Sequence, residues 1–393
     1  MRALMILLLL STLLLAFDCA YSQTWTQTSE STGANAVACS ADGMKVMAVF
    51  NNWIYISTNS GTTWTSNTLA GTILKSVAAS ADGTKWIMAS ALGGIYISTN
   101  LGGIWQPTTT PAYPWSAVAS SADGTKLVAV SGLEQNGTRG PIYTSMDSGA
   151  TWTSNNAPFL DWNGVASSAD GSKLVAVGSG QPAIYTSTNS GATWVSNSIP
   201  GSYWQSVASS ADGTKLILVG IAEPAIHIST DAGATWTSNA TPGLYWQSVT
   251  SSVDGIKLVA AEEDGAIFTS LNSGMSWTSN SVPSGFWASV ASSADGNKVV
   301  AATKPPGVMG AANGIYTSYS TPVPSLSITP SDSNVLLSWI LPSTNFVLQQ
   351  NFDLTTKNWM DVTNPPVRNL TNLQNQVTLP PSGNSSFYRL KTP

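Results

Sequence analysis

Charge is scarce in this chain. Asp, Glu, Lys and Arg make up 9% of its 393 residues, against roughly a quarter in ordinary globular proteins. The formal net charge is −5. No basic patch is available to neutralise a row of phosphates, so nucleic acid is excluded as a partner. Histidine is reduced to His227. Ser–His–Asp and Cys–His catalysis would both have to use it, yet it stands within a strand-like run rather than on a loop. His227 and Cys39 together cannot complete a zinc site, and no segment has the pattern of an EF-hand loop. No Gly-rich phosphate loop leads from a strand into a helix. No metal and no cofactor are therefore expected. Ser, Thr, Asn and Gly take the place of the missing charge, which suits strands and turns.

Long apolar runs are missing too, apart from Leu4–Leu15, which is too short to span a bilayer comfortably. Arg2 before it and the small-x-small Ala20-Tyr21-Ser22 after it mark residues 1–22 as a signal peptide cleaved before Gln23. Asp18 ahead of Cys19 argues against a lipid anchor there. The mature chain is expected to be a monomer without a membrane span, secreted or held at the cell surface. Cys39 is then its sole thiol, so it folds without an internal disulfide.

What the chain has in abundance is repetition. STNSGTTW at Ser57–Trp64 returns in close copies at Ser98–Trp105, Ser145–Trp152, Ser187–Trp194, Ser229–Trp236 and Ser270–Trp277. An Asp-Gly pair recurs at Asp42, Asp82, Asp123, Asp170, Asp212, Asp254 and Asp295, at spacings of 40 to 47 residues. Between these marks lie alternating and β-branched runs, four per unit. A period near forty with four short strands per unit predicts an all-β fold, a seven-bladed β-propeller. The seventh unit stops after Ile315-Tyr316-Thr317-Ser318, while Thr24-Trp25-Thr26 matches the segment that follows each octapeptide. The N-terminal strand is expected to complete the last blade, closing the ring and removing its open edge.

Each octapeptide reads as the hairpin turn between third and fourth strands. Its third residue (Asn59, Asn100, Asp147, Asn189, Asp231, Asn272) can hold the turn's own amides. Its Gly permits positive φ, and its Trp can cover the hairpin. This motif, S-x-[DN]-x-G-x-[TS]-W, resembles the Asp-box or BNR repeat. From Gln23 to Ser320 the chain is similar to the Asp-box propellers: sialidases, sortilin-type receptors, oligoxyloglucan hydrolases and the photosystem II assembly-factor family. The resemblance implies the propeller fold and leaves function open, because those relatives include enzymes, receptors and assembly factors. The box at Ser98 departs from the pattern, with Gly103-Ile104 before Trp105. Thr321–Ser325 reads as a linker. Residues 326–393 carry short runs such as Val335–Ile340 and Phe387–Leu390 between Pro-rich turns, which suggests a small β-sandwich.

In a four-stranded meander, turns one–two and three–four share one end, so the Asp-Gly turns and the boxes lie together. The opposite end carries the irregular residues. Trp115, Trp162, Trp204, Trp246 and Trp287 stand before the first strands of units three to seven, where units one and two have Ala34 and Leu74. Tyr113, Phe159, Tyr203, Tyr245 and Phe286 precede them by one to three residues. Glu134, Asp161, Glu223, Glu262, Glu263 and Asp264 collect at the same end, with Arg139 and Lys304 as its basic residues. Aromatic platforms with carboxylates suit sugar rings, so this face is a candidate for a glycan or an extracellular protein partner. Packing between blades is the competing role for the tryptophans.

The enzyme readings can be tested against the inventory. A sialidase grips its substrate's carboxylate with three arginines, and of Arg2, Arg139, Arg368 and Arg389 only Arg139 lies in the repeats. A glycoside hydrolase needs two carboxylates facing across a cleft. Glu134 with Glu223 or Glu262 would be the pair. The favoured reading is a non-catalytic binding or scaffold protein, with that hydrolase and a purely structural surface protein as alternatives.

Overall fold

The computed structural model describes residues 23–393, except 134–136, 181–182, 198, 200–202, 222–224, 241–242, 244, 284, 305–312, 321–325, 332–333, 341–345, 354, 357, 370–372, 381–385 and 392–393. The signal segment 1–22, the linker 321–325, Glu134 and Glu223 thus lie outside the described residues. Everything described is strand, turn or loop. Among the described residues no helix is long and apolar enough to cross a membrane.

The chain folds into antiparallel four-stranded sheets, the build of a β-propeller. Seven of them follow one another along the repeats, and we number them one to seven. Their first strands are Ala36–Cys39, Leu74–Ala79, Trp115–Ser120, Asp161–Ser167, Trp204–Ser209, Trp246–Ser251 and Trp287–Ser292. In sheet seven the fourth strand is Trp25–Gln27, paired with Ile315–Tyr319 through Trp25↔Ser318 and Gln27↔Tyr316. The strand that is last in space is first in sequence.

A cycle of backbone hydrogen bonds joins the sheets beside the Asp-Gly turns. Ala41 N donates to Ala81 O, Ala81 to Ala122, Ala122 to Ala169, Ala169 to Ala211, Ala211 to Val253, Val253 to Ala294, and Ala294 back to Ala41, each at 2.7 or 2.8 Å. Small side chains at these positions let adjacent backbones approach so closely. Each Asp-Gly turn is locked the same way. Ser210 Oγ donates to Asp212 Oδ1 at 2.6 Å, Thr214 N donates to the same oxygen at 3.0 Å, and Lys215 N donates to Ser210 Oγ at 3.0 Å. Lysine then ties one sheet to the next: the ammonium of Lys173 reaches Asp212 O at 2.8 Å and that of Lys215 reaches Asp254 O at 2.7 Å. Lys45 and Lys85 do the same through Asp82 O and Asp123 O, whereas the ammonium of Lys126 reaches the Ser190 hydroxyl and that of Lys257 the Asn297 side chain; among the described residues none forms an ion pair with its own aspartate.

The octapeptides are the turns between third and fourth strands. In the first, Ser57 Oγ accepts from Gly61 N at 2.8 Å, and Asn59 Oδ1 accepts from Thr63 N at 2.9 Å. Ser60 N donates to Met44 O at 2.7 Å, which sets box and Asp-Gly turn at the same end. Where the box residue is Asp, its charge adds to the bond. Hydrogen bonds from the Thr151 hydroxyl and amide and from Ser145 lower Asp147 to about 2, and Thr235 and Ser229 do the same for Asp231. A carboxyl with a lowered folded-state pKa contributes stability that is complete above its unfolded value of 3.8 and lost as pH falls through about 2. The Asp147→Asn/Asp231→Asn variant keeps the acceptor oxygen, as Asn59 does, and removes the titration. Its urea midpoint should fall less than the wild type's between neutral pH and about pH 2. Equal losses would sink the assignment.

The core is divided among the junctions between neighbouring sheets. At one such junction Ile217, Val219, Ile226 and Ile228 of sheet five pack with Trp246, Val249, Leu258, Ala260 and Phe268 of sheet six. Beyond the ring, Ser327–Ser331, Asn334–Ile340, Gln374–Leu379 and Val367–Asn369 form one sheet, and Val347–Asn351, Met360–Asp361 and Phe387–Lys391 another. Leu337, Trp339, Leu348, Val377 and Leu379 from both sheets share one core.

Candidate functional site

A cavity of about 580 Å³ opens at the mouth of the channel opposite the Asp-Gly turns, with a smaller one of about 190 Å³ at the other end. A repeated backbone irregularity builds the larger one. In sheets two to seven the register of the first strand slips just after its first residue, or in sheet four its second: between Leu74 and Ser76, Trp115 and Ala117, Trp162 and Gly164, Trp204 and Ser206, Trp246 and Ser248, and Trp287 and Ser289. A β-bulge leaves one residue unpaired and re-aims its side chain. The bulged residues are Lys75, Ser116, Asn163, Gln205, Gln247 and Ala288, and all of them line the mouth, with Asn35 in the matching place of sheet one.

Most of this ring is already engaged. Asn35 Nδ2 donates to Leu74 O at 2.9 Å, Ser116 Oγ to Trp162 O at 2.6 Å and Asn163 Nδ2 to Trp204 O at 2.8 Å. Each spans to the opening residue of the next sheet. Gln247 Nε2 donates to Glu263 Oε2 at 2.9 Å. Gln205 and Lys75 are different: among the described residues neither side chain has a protein partner. They belong to sheets five and two, three places apart in a cycle of seven, so they face each other across the channel.

The tryptophans proposed as ligand contacts are buried, although Trp115 and Trp162 adjoin the cavity. Trp115, Trp162, Trp246 and Trp287 are 0% exposed and Trp204 1%. Each meets a third-strand ring edge-on: Trp115 with Tyr143, Trp162 with Tyr185, Trp204 with His227, Trp246 with Phe268 and Trp287 with Tyr316, at centroid distances of 5.1 to 5.6 Å. This corrects their reading as a sugar platform, since a sealed indole offers no face to a ligand. It also places His227 as one more ring in the series, with burial lowering its pKa. The residues just ahead of the tryptophans fare otherwise. Tyr203 and Tyr245 are 60% and 48% exposed, and Phe159 is exposed as well. Tyr203 is held by a bridge to Ser179 and Tyr245 by one to Ile221.

The acids at this end are largely committed. Glu263 forms an ion pair with Lys304 and also accepts from Gln247. Asp161 Oδ1 accepts from Leu133 N at 2.9 Å. Glu262 stands across the strand pair from Trp246, and Asp264 is exposed. Among the described residues no group of three or more His, Cys, Asp or Glu is placed to hold a metal ion. Sequence reasoning missed Lys75 and Gln205. The available signal was variation inside a repeat: the residue after each opening position changes while its neighbours recur.

No family model matches the chain, and no curated protein matches it. Solved structures do. YCF48 bound to D1 peptide is 16% identical, with a TM-score of 0.58 over 77% of this chain and 97% of that one. The likeness is one of fold. YCF48 from Cyanidioschyzon merolae is 13% identical, with a TM-score of 0.56 over 75% of this chain and 98% of that one. The GH74 xyloglucanase from Xanthomonas campestris is 14% identical, with a TM-score of 0.56 over 81% of this chain and 59% of that one.

Proposed function

We propose that the seven sheets form a closed seven-bladed propeller that acts outside the cytoplasm as a non-catalytic binding or scaffold protein. Its Asp-box turns hold the frame. Its larger mouth takes a peptide segment of a partner protein. The observation that carries this is the bulge ring around the cavity of about 580 Å³. Those side chains suit the hydrogen-bonding groups of an extended backbone, and Gln205 is unspent. The peptide carried by one YCF48 structure supports the reading, because it shows that a protein of this fold binds one.

A hydrolase is less well supported. It requires an acid and a base or nucleophile across a cleft; of its candidate carboxylates Glu262 stands across the strand pair from Trp246, and Glu134 and Glu223 lie outside the described residues. The exposed Tyr203 and Tyr245 favour a glycan as the second ligand class.

Panning a random-peptide phage library on the full chain tests the proposal, with a glycan array run beside it. Enriched peptides should bind about fivefold to tenfold more weakly to Gln205→Ala, the loss of roughly one hydrogen bond. The variant's urea midpoint should be unchanged, since Gln205 supports no other residue. Unaltered peptide binding would remove the mouth as the site. Glycan binding without peptide binding would replace the partner.

A further inference from the structure

We infer that the mouth selects peptides carrying one carboxylate, and that Lys75 is the residue that seats it. The inference rests on the peptide-binding reading and names the ligand chemistry of the same site.

Six of the seven ring positions are uncharged: Asn35, Ser116, Asn163, Gln205, Gln247 and Ala288. Lys75 stands alone. It is exposed, it lines the cavity, and among the described residues it makes no ion pair or hydrogen bond. The repeat does not require it. Other lysines in the ring tie one sheet to the next, as Lys85, Lys173 and Lys215 do through the carbonyls of Asp123, Asp212 and Asp254. Lys75 lies at the opposite end, on the bulge of sheet two, and joins nothing.

The surroundings leave its charge available. Lys304, the other lysine described at this end, is neutralised by Glu263. Asp161 also lines the mouth, but one of its oxygens is held by the Leu133 amide and it forms no ion pair with Lys75. An ammonium on the wall of a polar but otherwise uncharged ring attracts one anionic group and holds it as a point charge, without the planar demand of a guanidinium. Gln205, across the channel, offers an amide for the backbone of the same segment. The overall charge of −5 repels strongly acidic ligands at long range. A single carboxylate aligned with Lys75 escapes that penalty and gains a charge-assisted bond. Lys75 is thus a specificity residue rather than a general anchor.

The carboxylate can come from an Asp or Glu side chain or from a peptide's free C-terminus. The test is a peptide array, each sequence synthesised with a free acid and with an amidated C-terminus, read on the wild type, Lys75→Gln and Lys75→Arg. The wild type should prefer peptides with Asp or Glu at one position, or free-acid over amidated forms; the two arms separate the sources. Lys75→Gln should bind the best acidic peptide roughly tenfold to a hundredfold more weakly. It should bind the Asn or Gln version of that peptide as the wild type does. Lys75→Arg should keep most of the preference. Peptide binding with no acidic preference, or a preference that survives in Lys75→Gln, would overturn the assignment and leave the peptide-binding reading intact. No peptide binding at all, or capture of uronate glycans alone, would overturn the peptide-binding reading and this inference with it.

Discussion

Trp246→Ala should cost about 3–5 kcal/mol of folding stability, the range for removing a buried Trp from a packed core. Urea denaturation of the full chain would read it as a large drop in midpoint with little change in slope. The reason is the place of the indole. Trp246 belongs to sheet six, yet its cluster holds Ile217, Val219, Ile226 and Ile228 of sheet five, and Phe268 closes on it edge-on at 5.4 Å. Removing it empties the junction between two sheets. Trp246→Phe is the discriminating control. The indole N–H of Trp246 has no protein partner, so a phenyl ring keeps the packing and should cost only about 1 kcal/mol. At Trp287 the N–H donates to Gly265 O at 3.1 Å, and the same change there should cost more. A small loss in Trp246→Ala would mean that the junction is not close-packed. The prediction bears on function too: binding lost in such a variant would report unfolding, so Gln205 and Lys75 are the positions at which to look for a site.

These tryptophans show where a sequence stops being legible. The Asp-Gly turns, the octapeptide hairpins and the spare N-terminal strand could be read directly, because each is a local pattern whose meaning is fixed within a few residues or by the period itself. Ser210, Asp212 and Lys215 make their bonds inside one turn. The fate of Trp204 or Trp246 depends on neighbours about twenty to thirty residues away, and an aromatic just before a strand suits a buried junction as well as an exposed platform. The third-strand rings Tyr143, Tyr185, His227, Phe268 and Tyr316 recur at one place in the repeat, but nothing local shows that each meets a tryptophan edge-on. The acids failed for a similar reason. Glu263 looked available until sheet seven supplied Lys304. The bulge was invisible altogether, since no Gly or Pro marks it in sheet two: Leu74, Lys75 and Ser76 read as ordinary alternation, and only pairing with Trp86–Ser90 shows that Lys75 is the extra residue. Alternating patterns report which face is buried and stay silent about where the register slips.

Gly33→Ala should be strongly destabilising, and it probes the place where last sheet meets first. Gly33 has φ of 72°, a conformation that costs an L-residue roughly 1–2 kcal/mol. A Cβ there would also stand 2.5 Å from Thr303 O and 3.1 Å from Thr303 Oγ1. That carbonyl accepts from Ala34 N at 2.9 Å, and the hydroxyl accepts from Gly314 N at 2.9 Å. Backbone on both sides leaves little room to yield, so overpacking should add about 1–3 kcal/mol. Gly71→Ala separates the two contributions. Gly71 has φ of 76° with nothing within 4 Å of its would-be Cβ, so it carries the conformational cost alone. The difference between the two urea midpoints then measures how tightly sheets seven and one are joined. A large difference means that the seam is as rigid as the junctions within the chain, and that the short strand Trp25–Gln27 completes a ring already held by backbone contacts. Equal midpoints would mean that the seam gives way to a methyl group, and the ring would then depend on that strand and on the cycle of amides from Ala41 to Ala294 to stay closed.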